Sequence, residues 1–296
     1  MRRKWVPLYA ALLLIHMVAG NHSSSAAGTS STETGGAGTA LTAQVQQWVN
    51  SLSAQPEFQA WKTARSTIVP IGPGQHGWLV TFRANQQPVG YMIVNALEEG
   101  GFALGEYGAG SHPIFDPNTL YQAMVRQELI SSYSDIIKKP LKLERMYVHP
   151  LLAVWKWSAP SGETHYLDAW TGDVLPINDK QWQSGMKQIT SESPAIDTPL
   201  RLSVSHMNRS FDPYERMPWL TQTPLSGNQV KQLSSLLDRK AQIRFTAELF
   251  DKNVLFVWPA IGYHQWNDET LFVAFEQLGT RYLPMNALSA DGSFYK

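Results

Sequence analysis

Residues 146–176 read Met146-Tyr-Val-His-Pro-Leu-Leu-Ala-Val-Trp-Lys-Trp-Ser158, then Ala159-Pro-Ser-Gly-Glu163, then Thr164-His-Tyr-Leu-Asp-Ala-Trp-Thr-Gly-Asp-Val-Leu-Pro176. The first run is β-branched and aromatic, and the middle is turn chemistry. The third run closes in a Thr171-Gly172-Asp173 corner. Two such runs around a short Pro/Gly loop predict a β-hairpin. A half-buried sheet therefore sits at the centre of the chain. The stretch holds no nucleophile motif, metal spacing or phosphate loop.

Outward from the hairpin, the same logic predicts an α+β protein in two small domains, each an antiparallel sheet packed with one or two helices. Upstream, Thr42–Arg65 places Val45, Trp48, Val49 and Leu52 at helical spacing, with Thr42 as N-cap and Pro56 dividing two short helices. Strands are predicted at Trp78–Ala84, Pro88–Ala96 and Phe102–Tyr107 by period-2 alternation. Val89, Tyr91 and Ile93 are expected on one face. Asp116 and Pro117 fit the N-cap and first position of a helix running toward Pro140. The order helix then strands occurs in 42–107 and again in 117–176. Either a degenerate repeat or any α+β domain would show it.

Downstream, 177–199 is polar and proline-bearing and predicts a linker between a domain at 42–176 and one at 200–296. In the second, Arg201–Val204 suggests a short strand and Ser226–Lys240 a helix. Gln242–Phe250, Asn253–Ile261, Thr270–Glu276 and Arg281–Met285 suggest a meander, with Gln265–Glu269 as one of its turns.

At the N-terminus Arg2, Arg3 and Lys4 precede an apolar run from Trp5 to Ala19. A membrane span needs about 20 apolar residues. The pattern reads as a secretory signal over 1–20, cleaved near Ala19 or Ala26, or as an uncleaved anchor. Residues 21–41 read as a Ser/Thr/Gly spacer. The folded part is expected outside the cell. Contact with a membrane is expected only through 5–19, and only if the leader stays.

Composition excludes several chemistries. The 296 residues carry 24 basic and 24 acidic side chains and no cysteine. Thiol nucleophiles, disulfides and iron–sulfur sites are ruled out. A net charge of zero gives no footprint for nucleic acid. The histidines at 16, 22, 76, 112, 149, 165, 206 and 264 form no HxH or HxxxH pair, so no metal or other cofactor is expected. Gly72–Gly77 lacks the lysine and following helix of a phosphate loop. No Gly-x-Ser-x-Gly elbow exists, and the neighbours Ser205 and His206 point to opposite strand faces. No catalytic residue is expected. A carboxylate hydrolase is the rival reading, with Glu106, Asp168, Asp268 and Glu269 as candidates. Candidate binding residues are aromatic: Trp155, Trp157 and Trp170 on the hairpin, and Tyr263, His264 and Trp266 at a strand end. A glycan-binding role would need Tyr263 and Trp266 exposed in a row.

Two stretches resemble a known family. Pro88–Ala96, with Leu104-Gly105-Glu106-Tyr107-Gly108, resembles the propeptide domain of streptopain-type proteases. Tyr166–Leu175, with its Asp168-Ala169-Trp170-Thr171-Gly172-Asp173-Val174 core, resembles the closing strand of PepSY modules. The resemblance covers about 42–176. It implies an exported α+β module linked with protease inhibition or chaperoning, whose partner is a protein, a protease or another envelope component. Asn253–Tyr263, Leu271–Glu276 and Gly279–Leu288 are similar to the second half of papain-fold peptidases. With no cysteine, and Asn253 where a histidine is expected, that likeness implies an inactive remnant.

Overall fold

The computed structural model describes residues 33–72, 76–132, 134, 140–188 and 201–296. The expected leader at 1–20 lies outside the described residues, as does much of the 177–199 stretch.

Helix α1 spans Glu33–Leu52 and so takes in the end of the expected spacer. Glycines 35, 36 and 38 each cost a helix about 1 kcal/mol relative to alanine. Burial of Leu41, Val45, Trp48, Val49 and Leu52 on one face anchors it from the other end. Thr42 is not its cap: the hydroxyl donates back to the Gly38 carbonyl at 2.9 Å, as a mid-helix threonine does. Pro56 starts a 3-10 helix, Pro56–Lys62, that buries Phe58 and Trp61.

Four antiparallel strands follow: β1 Arg65–Ile71, β2 Gly77–Ala84, β3 Gln87–Ala96 and β4 Phe102–Ala109. β1 was not legible in the sequence, because most of its residues are exposed or half-exposed and do not alternate. Val80, Phe82, Met92 and Val94 face α1, while Leu79, Tyr91 and Ile93 face the other way. Val89 departs from the expected face and packs toward α1. Register shifts beside it: Phe82 pairs with Gly90 and Arg83 with Pro88, leaving Val89 as the bulged residue. Trp61 explains Gly90. Its ring stacks on Phe82 at 4.1 Å and its Nε1–H donates to the Val89 carbonyl at 2.9 Å. A Cβ on Gly90 would meet that ring at 2.5 Å.

Helix α2, Pro117–Arg126, begins as expected: the Asp116 carboxylate accepts the Thr119 N–H at 2.9 Å. It stops well short of Pro140, with Glu128 in the left-handed region. The first hairpin run divides into β5 Lys142–His149 and β6 Leu152–Ser158. Pro150 has no N–H to donate, and His149 Nδ1 accepts the Leu151 N–H at 3.3 Å to close the turn. The 159–163 loop joins β6 to β7, Thr164–Asp168, and the 171–173 corner leads to β8, Val174–Leu175. Within the expected linker, α3 (Asp179–Gln188) is a helix because Trp182 buries against Tyr166 and Phe250.

After α3 come β9 Leu202–Met207, the short helices α4 Gly227–Val230 and α5 Leu233–Asp238, and β10 Ile243–Leu249. Then follow β11 Val254–Trp266, β12 Thr270–Glu276, β13 Thr280–Pro284, α6 Met285–Asp291 and β14 Ser293–Tyr295. The α+β class is as expected. The sheets, however, do not divide at 177–199. β1 to β4 continue through β13 into β12, β11, β10 and β14, with β9 on β11, while β5 to β8 form a second sheet. Strand β4, bonded to β3 on one side, supplies the seam on the other, pairing Tyr107 with Tyr282 and Gly108 with Arg281. The large sheet is covered by α1 on one face and by the small sheet with α2 on the other. No helix among the described residues is long and apolar enough to cross a membrane.

Candidate functional site

Six aromatic and histidine side chains carry the sequence's binding expectation, and all six are buried. Trp155, Trp157 and Trp170 are 2, 4 and 4% exposed, Tyr263 is 5%, and His264 and Trp266 are 0%. No exposed aromatic row exists at either place. The carboxylates scatter too. Asp268 and Glu269 lie exposed in the β11–β12 turn. Asp168 accepts the N–H groups of Trp170 and Thr171 at 2.8 and 2.7 Å and so fixes the corner before β8. Burial pushes its carboxyl up, against those bonds.

Glu106 is the exception in depth, with no exposed surface, and it is fully committed. Its oxygens accept from Tyr91 at 2.6 Å, Tyr147 at 3.1 Å and Arg281 at 3.3 and 3.0 Å. Arg281 also donates to the Pro150 carbonyl at 2.7 Å. Its guanidinium lies against the rings of Trp170 and Trp258, at 5.1 and 5.2 Å. Burial opposes the Arg281 charge, and Glu106 more than offsets that, so its affinity for the proton rises. Tyr147 lies on β5 of the small sheet and Pro150 in the turn after it, so this buried pair bolts one sheet to the other. The chemistry open to it is adhesive: every oxygen is occupied, and burial together with the Glu106 charge drives the Tyr91 and Tyr147 hydroxyls upward, away from ionisation.

His149 stands beside the bolt. Burial, and then the Arg281 charge, lower it to about 4. Its Nε2 and the Asp291 carboxylate are 3.7 Å apart, too far for a direct hydrogen bond. In the unfolded chain a histidine titrates near 6.5. Its folded value is depressed, so stability is full above about pH 6.5 and falls as pH drops toward about 4, by on the order of 3 kcal/mol. His264, also lowered by burial, acts in the same direction. Asp291, raised by burial, opposes it at the acid end. Chemical denaturation at pH 7 and pH 4.5 is expected to show this loss, and His149→Asn, which keeps an acceptor for the Leu151 N–H, should reduce it. An unchanged pH slope in that variant would contradict the assignment.

A second buried centre underlies β9. Ser205 pairs across to His264 on β11. Ser205 Oγ is 3.1 Å from His264 Nε2, and Tyr107 Oη is 2.8 Å from Nδ1. Glu57 Oε1 lies 3.7 Å from Nε2 and accepts the Tyr282 hydroxyl at 2.9 Å. His264 stacks on Tyr282 at 4.0 Å. Contact with His264 holds the Glu57 carboxyl below its usual range, against partial burial. This Ser–His–Glu grouping was invisible in sequence, since its members lie on β9, β11 and the 3-10 helix.

The tautomer decides what the grouping can do. Trp266 Nε1–H donates to Tyr107 Oη at 3.0 Å, so the satisfied arrangement has Tyr107 donating its own proton to Nδ1. Nε2 then carries the hydrogen and donates toward Ser205. A general base needs the reverse, a bare nitrogen accepting the serine proton. The acid also sits on the serine side of the ring instead of behind it. With the ring in that tautomer the centre ties β9 to β11. Among the described residues no group of three His, Asp or Glu side chains is placed to hold a metal ion.

What the centre holds in place is an open strand. β9 is bonded to β11 on one side, and its other edge has no strand partner among the described residues. Other strands bonded on one side only carry blocks: β1 contains Arg65 and Pro70, β5 contains Lys142, Glu144 and Arg145, and β8 and β14 are two and three residues long. β9, Leu-Ser-Val-Ser-His-Met, has neither charge nor proline in its six residues, and Val204 and Met207 are 38 and 40% exposed.

Comparison with protein-family models, curated proteins and solved structures finds no match to the chain.

Proposed function

We propose that this chain is an exported, non-catalytic protein-binding module of the PepSY or protease-propeptide kind, which takes up an extended segment of an envelope protein or protease as an added strand along β9. The carrying observation is the outer edge of β9, which has no strand partner among the described residues, on a strand tied to β11 through Ser205 and His264. Strand addition draws affinity from main-chain hydrogen bonds and specificity from alternate side chains, which needs no deep pocket. The short motif resemblance in 88–108 and 166–175 and the basic-then-apolar N-terminus support the exported, propeptide-like part of the reading.

The test is capture from the native exported fraction by the folded chain, wild type against Val204→Lys. A lysine there keeps the backbone N–H and places a charge at an exposed edge position. The expected result is a partner retained by wild type, lost with Val204→Lys and kept with Val204→Thr. Equal retention by the lysine variant, or a wild type that retains nothing, overturns the proposal.

A further inference from the structure

On the opposite side of the C-terminal strands from the Glu106 bolt, a cleft of about 230 Å³ is lined by Arg216, Pro218, Gln222, Gln242, Arg244 and Lys296. Its floor is Arg244, 2% exposed. Two of the three guanidinium nitrogens are engaged: Nε donates to the Pro213 carbonyl at 2.9 Å and Nη1 to the Gln242 carbonyl at 3.4 Å. The Phe211 ring covers the group at 4.8 Å. Among the described residues Nη2, shielded from solvent, has no hydrogen-bond partner. Burial lowers the Arg244 affinity for its proton, and Arg216 adds to that, while Glu215 and Asp212 partly compensate from a distance. Among the described residues no acid comes within 4.0 Å of Arg244 to form an ion pair.

A charged, buried N–H without an acceptor is costly, and in native proteins it ordinarily points to an ion or water. Arg244 here lines a cleft together with Arg216 and Lys296, whose side chains are also cationic, and with two side-chain amides. We propose that this cleft binds a small oxyanion, a phosphate ester or a carboxylate, seated on Arg244 and clamped by Arg216 and Lys296. Guanidinium groups suit such ligands because they present paired N–H donors to two oxygens. The site is separate from β9 and does not rest on the strand-addition reading.

Titration calorimetry on the full chain tests it, with sodium phosphate and sodium acetate as probes and sodium chloride at equal ionic strength as the reference. Saturable heat is expected with at least one oxyanion and none with chloride. Binding of phosphate alone identifies a phosphoryl site, binding of acetate alone a carboxylate site, and binding of both a general oxyanion site. Arg216→Gln and Lys296→Gln, both at exposed positions, are each expected to weaken binding by about tenfold, the worth of one charge-assisted hydrogen bond. No saturable heat with either oxyanion, or full affinity in both variants, overturns the proposal.

Discussion

Replacing Arg281 by methionine is expected to destabilise the fold by about 3–5 kcal/mol, the cost of leaving a buried charge without its partner. Glu106 would keep only the Tyr91 and Tyr147 hydroxyls, and the Pro150 carbonyl would lose its donor. The loss should appear in urea unfolding as a lower midpoint. Glu106→Gln with Arg281→Met should cost less than the two single changes summed, because the remaining groups no longer include an unpaired ion. A coupling energy of about 0.5–3 kcal/mol is the range for residues in direct contact. The reason for so large an effect is position: one end of the bolt is in β4 and β13, the other touches β5 and the turn after it. Strictly additive single variants, or a mild Arg281→Met, would show that the sheets are held by apolar packing alone.

Gly262→Ala is expected to unseat β9. A Cβ at Gly262 would lie 2.1 Å from the His206 carbonyl oxygen and 3.0 Å from Met207 Cα, both backbone atoms of the strand it pairs with. Neither can rotate away as a side chain would, so β9 has to shift at its C-terminal end. Overpacking of this kind costs about 1–3 kcal/mol. The shift would part Ser205 from His264 and release the Asn208 N–H from the Ile261 carbonyl, a bond of 2.6 Å. Amide exchange should accelerate across 202–208 while β12 and β13 stay protected. An unchanged β9 would mean that the strand is not seated as described.

Much of the fold could be read from the chain, for reasons that individual residues make plain. β2 alternates Trp78, Val80 and Phe82 against Leu79, Thr81 and Arg83, β12 carries the unbroken apolar run Leu271–Phe275, and Asp116-Pro117 is a strong local start signal, so these elements follow from short-range physics. β1 and α3 could not be read this way. The first has few buried side chains, and the second owes its helix to Trp182 finding Tyr166 and Phe250, which lie far away in sequence. The seam between β4 and β13 is equally non-local: Glu106 and Arg281 are 175 positions apart, and nothing in either neighbourhood names the other.

The site was less legible than the fold. Aromatic richness at 155–170 and 263–266 signals packing and ligand platforms alike, and burial decided for packing. His264 was singled out, yet its partners Glu57, Tyr107 and Ser205 come from three separate elements. The useful signal was quieter: Leu202–Met207 is a strand with no charge and no proline. Its meaning depended on knowing that it lies at an edge.

Strand addition along β9 requires that its outer edge be open. Residue-resolved amide exchange on the free, full chain tests it most directly. The prediction is an alternating pattern along 202–207, with amides directed at β11 protected and those directed away exchanging as fast as loop amides. Uniform protection along the strand would mean that the edge is already covered, and the binding surface proposed here would not exist.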